Sequence, residues 1–228
     1  MAPDALTTLA ERYATVQSDI AAAAAEAGRD PASITTIVVT KFHPAALVRE
    51  LAAIGAHDLG ENRHQEAAAK AAETADLGLT WHFIGQLQSN KAVAVLDYAS
   101  VIHSVDRASL VDALARAERD VDVFLQLNLT ADPNRGGVSP TQLESLVERV
   151  LGVPRLRLRG LMAVAPVQSS ARAAFARVRE QCEVLQRLAP EASALSMGMS
   201  GDFREAILEG ATHLRIGSAI TGNRQVPG

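Results

Sequence analysis

The sequence predicts a single (β/α)8 barrel of the α/β class with an extra helix at its N-terminus, and three observations carry that prediction. Eight short apolar, often β-branched runs alternate with helix-periodic segments. The runs are almost continuously apolar, which suits strands of a parallel sheet covered by helices. The length of 228 residues fits one such barrel, and eight units are more than the common doubly wound orders contain.

The elements follow in order. Leu6, Leu9, Tyr13, Val16 and Ile20 recur at spacings of three and four, one face of a helix expected over about 4–27. Gly28 and Pro31 end it. Ile34 to Thr40 is the first strand, and a helix follows over roughly 44–54. His57 to Leu59 is a short second strand, with an Ala-rich helix near 63–75. Leu79 to Ile84 is the third strand, and the next helix starts about Ser89. Ser100 to His103 is the fourth, with Asp106 opening the helix after it. Val121 to Leu127 is the fifth; Ser139 and Pro140 then cap and open a helix carrying Leu143, Leu146, Val147 and Val150. Leu156 to Val164 is the sixth, and Phe175, Val178, Cys182 and Leu185 stripe the long helix behind it. Ala194 to Met197 is the seventh, followed by a short helix with Phe203, Ala206 and Ile207. Thr212 to Ile216 is the eighth. No linker divides the chain, so residues 1–228 are expected to form one domain, with the barrel over about 34–224.

Composition excludes several classes. A formal net charge of −4 and 4% aromatic residues argue against a nucleic-acid binder with a basic face or a base-stacking platform. The single cysteine, Cys182, leaves no disulfide framework and reads as a core residue on its helix stripe. The six histidines show no metal-ligand spacing, so no metal site is expected. The N-terminal residues lack a signal-peptide pattern, and no apolar run is long enough to span a bilayer. A soluble, cytoplasmic protein is the expectation.

In barrels of this kind the chemistry sits where the strands end. Lys41 ends the first strand, where partial desolvation would favour a neutral, nucleophilic amine. The plain alternative is a lysine leaving the strand for solvent. The chain writes Arg 19 times and Lys only three, so a lysine kept here suggests a need for an amine, which a guanidinium cannot replace. Ser200 and Gly201 after the seventh strand, and Gly217 and Ser218 after the eighth, stand at the usual phosphate-binding turns of this fold. An N-cap at Ser200 is the ordinary alternative. Arg215 ends the eighth strand, beside those turns; it could hold a phosphate, face a cofactor ring or form a rim ion pair. His82 and His103 alternate with core residues and read as satisfied strand histidines. Glu61 reads as a carboxylate paired with Arg63, and Lys70 as a surface lysine. An aldehyde-reactive lysine beside a phosphate cradle suits either a Schiff-base aldolase for sugar phosphates or a site for pyridoxal 5′-phosphate. The pattern alone does not choose between them.

A set of segments narrows the choice. Val39-Thr40-Lys41, Gly60-Glu61-Asn62, the run from Trp81 to Lys91 (WHFIGQLQSNK), the run from His103 to Asp106, the run from Arg159 to Met162, the run from Leu195 to Ser200 (LSMGMS) and the run from Arg215 to Ile220 come in order. With these segments the chain resembles the pyridoxal-phosphate homeostasis protein family, also described as proline-synthase co-transcribed proteins. The resemblance implies a monomeric barrel of the alanine-racemase type without that enzyme's second domain. It implies a pyridoxal 5′-phosphate (PLP) cofactor held as a Schiff base on Lys41. Asn62 would lie beside it, Ser200, Gly217 and Ser218 would hold its phosphate, and Arg215 would lie near its pyridine nitrogen.

Three positions depart from the family pattern. Asn134-Arg135-Gly136-Gly137 stands where a lysine is frequent, Thr221 stands before Gly222 where Phe is usual, and Thr40 stands where Ser is frequent. The first puts in doubt a second lysine acting in cofactor transfer. Of the two tyrosines, Tyr13 lies on the first helix and Tyr98 precedes the fourth strand, at the far end of the barrel from Lys41. No tyrosine is therefore expected opposite Lys41, and no catalytic residue is assigned. The resemblance thus implies a protein of PLP homeostasis, not an enzyme, with apo-enzymes that use PLP as candidate recipients. The alternative is a PLP-dependent enzyme with weak racemase-like activity on amino acids.

Overall fold

The computed structural model describes residues 7–130, 132 and 135–222. Leu6, expected on the first helix face, and Asn134 lie outside the described residues. Helix α1 (Leu9–Glu26) starts at a capping box, in which the Thr8 hydroxyl accepts from the Glu11 amide and the Glu11 carboxylate accepts from the Thr8 amide. Val16 and Ile20 are buried on the expected face.

The strands are β1 (Thr35–Val39), β2 (Asp58–Glu61), β3 (Thr80–Phe83), β4 (Val101–Val105), β5 (Val121–Gln126), β6 (Leu156–Met162), β7 (Ala194–Met199) and β8 (His213–Ile216). Each pairs in parallel with the next, and β1 pairs with β8, so the sheet closes as an eight-stranded barrel. The expected α/β fold is the observed one. The outer layer is α2 (Ala45–Ala53), α3 (His64–Glu73), α4 (Ala92–Leu96), α5 (Ala108–Leu114), α6 (Leu143–Leu151), α7 (Ala171–Gln186) and α8 (Phe203–Leu208), with a last turn α9 (Ser218–Thr221). Helix α1 is tied across this ring, since the Arg12 Nε donates to the Ile220 carbonyl at 2.7 Å and the Arg29 Nη1 to the Ala211 carbonyl at 2.7 Å.

Strands β2, β6 and β7 end two residues away from the sequence reading, and two further details differ from it. The helix after Ser139 begins as a single 3-10 turn over Pro140–Gln142, and the Ser139 hydroxyl donates to the Gln142 side chain and caps no amide. The fourth strand runs on to Val105, because His103 and Ser104 are fully buried and keep the extended backbone going.

The apolar core lies mainly between the sheet and the helices, where Phe175, Val178, Cys182 and Leu185 of α7 are all buried as expected. A small separate cluster of Val101, Phe124 and Met162, on three neighbouring strands, joins Ala194. Buried polar residues of the strands gather as well, among them His82, His103, Ser196 and Arg215. A strand presents alternate residues to opposite faces, so a few substitutions on one face suffice to make a barrel interior polar.

Candidate functional site

The ends of β7, β8, β1 and β2 are contiguous around the barrel, and five of the six expected site residues follow or close those strands. Arg215 lies within β8 itself. The Ala219 amide donates to the Ser200 hydroxyl at 3.4 Å, so the turns after β7 and β8 are in contact. Ser200 does not cap α8; that position belongs to Asp202, whose carboxylate accepts from the Met199 amide at 2.6 Å. The Ser200 hydroxyl therefore serves the turn of Gly217 and Ser218. The Thr221 hydroxyl donates to the Gly217 carbonyl at 3.2 Å, which gives the departure at Thr221 a local task.

Lys41 stands in a turn past the end of β1, and its side chain is exposed. The expected desolvation at a strand end is thus not found, because the chain leaves the sheet after Val39 and the buried residue at the rim is Thr40. The turn is held from both sides. Before Lys41, the Lys70 ammonium donates to the Thr40 carbonyl at 2.8 Å, and the Thr40 hydroxyl donates to Glu61 Oε1 at 2.7 Å. After it, Phe42 adopts a positive φ of 67°, a conformation that costs a non-glycine residue energy. The Phe42 amide donates to Glu66 at 3.1 Å, and the Arg63 guanidinium lies 5.2 Å from the Phe42 ring centre.

Lys70 and Glu61 overturn two expectations. Lys70 is only 7% exposed, and its ammonium lies 2.5 Å from Glu61 Oε1. Glu61 is fully buried and pairs with Lys70, while Arg63 pairs with Glu66 at 3.4 Å. The sequence does hold a signal for this: Ala67 and Lys70 stand at i and i+3 on one face of α3, and both are buried.

Asn62 follows β2, and its Oδ1 is buried with no hydrogen-bond donor from the protein. Gly85, at the end of the neighbouring β3, permits this placement. A Cβ there would lie 2.2 Å from the Asn62 carbonyl oxygen, well inside van der Waals contact. We expect Gly85→Ala to cost about 1–3 kcal/mol in urea unfolding, as an overpacked core position does. A variant as stable as the wild type would show that the Asn62 loop yields freely.

Arg215 is 4% exposed, and its acceptors are all neutral. Nη1 donates to the Ser196 carbonyl at 2.7 Å and to its hydroxyl at 2.8 Å, and Nη2 donates to the Ala163 carbonyl at 2.9 Å. Nε has no protein acceptor among these bonds. The rim ion pair is therefore not its state. Burial works against the charge and lowers its pKa to about 10, so the group still carries its proton at neutral pH.

A cavity of about 700 Å³ opens beside this arc, lined by Asn62, Phe83, Gln86, Lys91, Arg107 and Gly137 among others. It has the volume of a small-molecule site and shares Asn62 with the arc. Its lining explains part of the long Trp81 to Lys91 segment: Phe83 is buried, and Gln86 and Lys91 are exposed. Tyr98 precedes β4, yet its ring stacks on His64 at the start of α3, 5.9 Å between ring centres. Its hydroxyl is buried without a partner, and burial, with the charge of Glu61, pushes its pKa up. Among the described residues no three His, Cys, Asp or Glu side chains gather as metal ligands.

Comparison with known proteins gives three findings. The family model of the alanine racemase N-terminal domain matches residues 15–225. A pyridoxal phosphate homeostasis protein of Pseudomonas aeruginosa is 44% identical over 226 residues, covering 96% of this chain and 97% of that protein. Among solved structures, PipY of Synechococcus elongatus with PLP bound superposes with a TM-score of 0.83 at 39% identity, covering 94% of this chain and all of that one. The alanine racemase of Corynebacterium glutamicum shares the fold alone: TM-score 0.67 at 16% identity, with 94% of this chain matching 62% of the enzyme.

Proposed function

Because this chain belongs to the pyridoxal phosphate homeostasis proteins, within the alanine racemase N-terminal domain family, we propose that it binds pyridoxal 5′-phosphate and takes part in PLP homeostasis without efficient turnover. The observation that carries this reading is the arc of unlike groups at one end of the barrel. An exposed primary amine, a hydroxyl packed on a Gly-Ser turn and a buried guanidinium lie on contiguous strands.

The residues present fit such a group. Among the described residues Asn62 Oδ1 is a buried acceptor lacking a donor, the bonds of Arg215 are made by Nη1 and Nη2 and leave Nε out, and a Cβ at Gly201 would meet nothing within 4 Å. When bound, PLP supplies an aldehyde to amines and a pyridine ring that withdraws electrons from what is attached to it. Lys41 would hold the cofactor as a Schiff base. Ser200, Gly217 and Ser218 would hold the phosphate, and Asn62 would line the ring. Arg215 would face the pyridine nitrogen. A guanidinium that keeps its proton donates a hydrogen bond there without protonating the ring, which leaves the ring a weak electron sink. This supports storage over catalysis. Apo-enzymes would be the recipients of the cofactor, and the protein is read as one monomeric, cytoplasmic barrel domain spanning residues 1–228. No described helix is long and apolar enough to cross a membrane.

The purified protein should show the visible absorbance of lysine-bound PLP, and Lys41→Ala should abolish it. Borohydride reduction should fix the cofactor mass on the peptide containing Lys41. An unchanged spectrum in Lys41→Ala would sink the reading. The alternative, weak racemase-like activity, is favoured by one observation: Lys41 is exposed and could serve as a base for an amino acid at an open mouth. Incubation with amino acids in deuterated water separates the two, since exchange of the α-hydrogen would require the enzyme.

A further inference from the structure

We propose that His103, His82 and Asp58 are positioning residues for Arg215, acting through a one-directional chain of hydrogen bonds that threads the barrel to the opposite end of the sheet. This rests on the reading above that Arg215 serves the cofactor ring.

The chain is continuous. Arg215 Nη1 meets the Ser196 hydroxyl at 2.8 Å, and that hydroxyl meets His103 Nδ1 at 2.8 Å. His103 Nε2 meets His82 Nδ1 at 2.9 Å, and His82 Nε2 meets Asp58 Oδ1 at 2.9 Å. Asp58 is the first residue of β2, whereas Arg215 is the third of four residues in β8. The participants come from β2, β3, β4, β7 and β8, and directly bonded partners are up to 93 residues apart in sequence.

Its two ends fix its direction. A guanidinium only donates, and an ionised carboxylate only accepts. Ser196 therefore accepts from Arg215 and passes its own proton toward His103 Nδ1. His103 then donates from Nε2 to His82 Nδ1, and His82 donates from Nε2 to Asp58. In that order the proton each imidazole passes along the chain is on Nε2. The reverse order would set the bare His82 Nε2 against the Asp58 carboxylate at 2.9 Å, two acceptors in contact.

The surroundings support a neutral His103 ring. His103 is fully buried, and burial first of all holds its pKa well below the usual imidazole range. Phe124 stacks on the His103 ring at 4.6 Å and 10°, which fixes its plane. Aligned hydrogen bonds polarise one another in a low-dielectric interior. Asp58 thus ends the chain of bonds from Arg215 with an acceptor, and the charge of Asp202 also favours the guanidinium. Ser196 holds Arg215 through two atoms, so the rotamer of that serine sets where Nε is presented.

The test uses the full chain, free and loaded with PLP. In the free protein, side-chain ¹⁵N shifts should show His82 and His103 both neutral and protonated on Nε2; a mixed or reversed pattern overturns the chain. In the loaded protein, Asp58→Ala, altered at the far end of the chain, should weaken PLP binding about tenfold and shift the visible band, as the loss of one charge-assisted bond does. Asp58→Asn, which keeps an acceptor, should restore both. His103→Leu should match Asp58→Ala. Folded variants with unaltered affinity and band would overturn the positioning role alone. A wild type that takes up no PLP would overturn the cofactor reading and this role with it, and that control tells the two failures apart. Where Asp58→Ala does not fold, the ¹⁵N pattern and His103→Leu decide.

Discussion

Lys70→Ala is expected to destabilise the protein by about 3–5 kcal/mol, the cost of breaking a buried ion pair by removing one partner. Glu61 would remain fully buried, with Oε2 already lacking a partner and Oε1 reduced to the Thr40 hydroxyl. The Thr40 carbonyl would lose its ammonium donor as well. Urea unfolding measures the loss directly, and the melting temperature should drop by roughly 10 °C for a chain of this size. The double variant Lys70→Met, Glu61→Gln should recover most of that loss, because no charge is then left buried. A Lys70→Ala protein within about 1 kcal/mol of the wild type would mean that Glu61 reaches water or neutralises at little cost. Since Lys70 and Glu61 fasten the residue before Lys41, the single variant should also weaken PLP binding.

The second large effect is acid sensitivity in a window above the carboxylates. Burial, first of all, lowers the His213 pKa to about 4, and it lowers that of His103 in the same direction. Such groups are neutral in the folded chain while the unfolded chain takes up protons below its ordinary imidazole pKa of about 6.5. Their contribution is therefore fully present above pH 6.5 and is lost as the pH falls toward 4. For His213 alone the loss is about 3 kcal/mol at pH 4, from a shift of roughly two and a half units. The Asp76 and Asp120 carboxylates, whose pKa values are lowered by Arg49 and by Arg155 and Arg157, lose their partners only at still lower pH. Urea unfolding at pH 7 and pH 4.5 should show the loss, and His213→Gln should have a visibly smaller pH slope. Equal slopes in the two proteins would place the proton uptake elsewhere.

Much of the fold was legible because its signals are local. The Val–Ile–Leu runs and the three-and-four spacing of Phe175, Val178, Cys182 and Leu185 each need only a short window of sequence to be read. The site was legible in part. Lys41, Ser200, Gly217 and Ser218 follow strand ends, and Arg215 is the last residue but one of β8, where this fold puts chemistry. Glu61 was misassigned to Arg63 because sequence neighbours suggest pairs that side-chain direction does not permit. Lys70 was misread as a surface residue because an isolated lysine in an Ala-rich helix looks solvated until the helix is docked. Tyr98 looked remote from the β2 end, and only the packing of α4 beside α3 brings its ring to His64.

The sequence by itself determined the periodicity, the closed count of eight strands and the identity of the residues at the strand ends. Those follow from backbone geometry, which repeats every two or 3.6 residues and leaves its mark on a single stretch of chain. The tertiary structure alone decided which charges are buried and with what partner. Lys70 finds Glu61 across 9 residues and Thr40 across 30, and His103 finds Ser196 across 93. Whether a charge sits in water or against another charge depends on such long-range closure, and no local pattern encodes it. The same closure turns two strand histidines into a chain between Asp58 and Arg215.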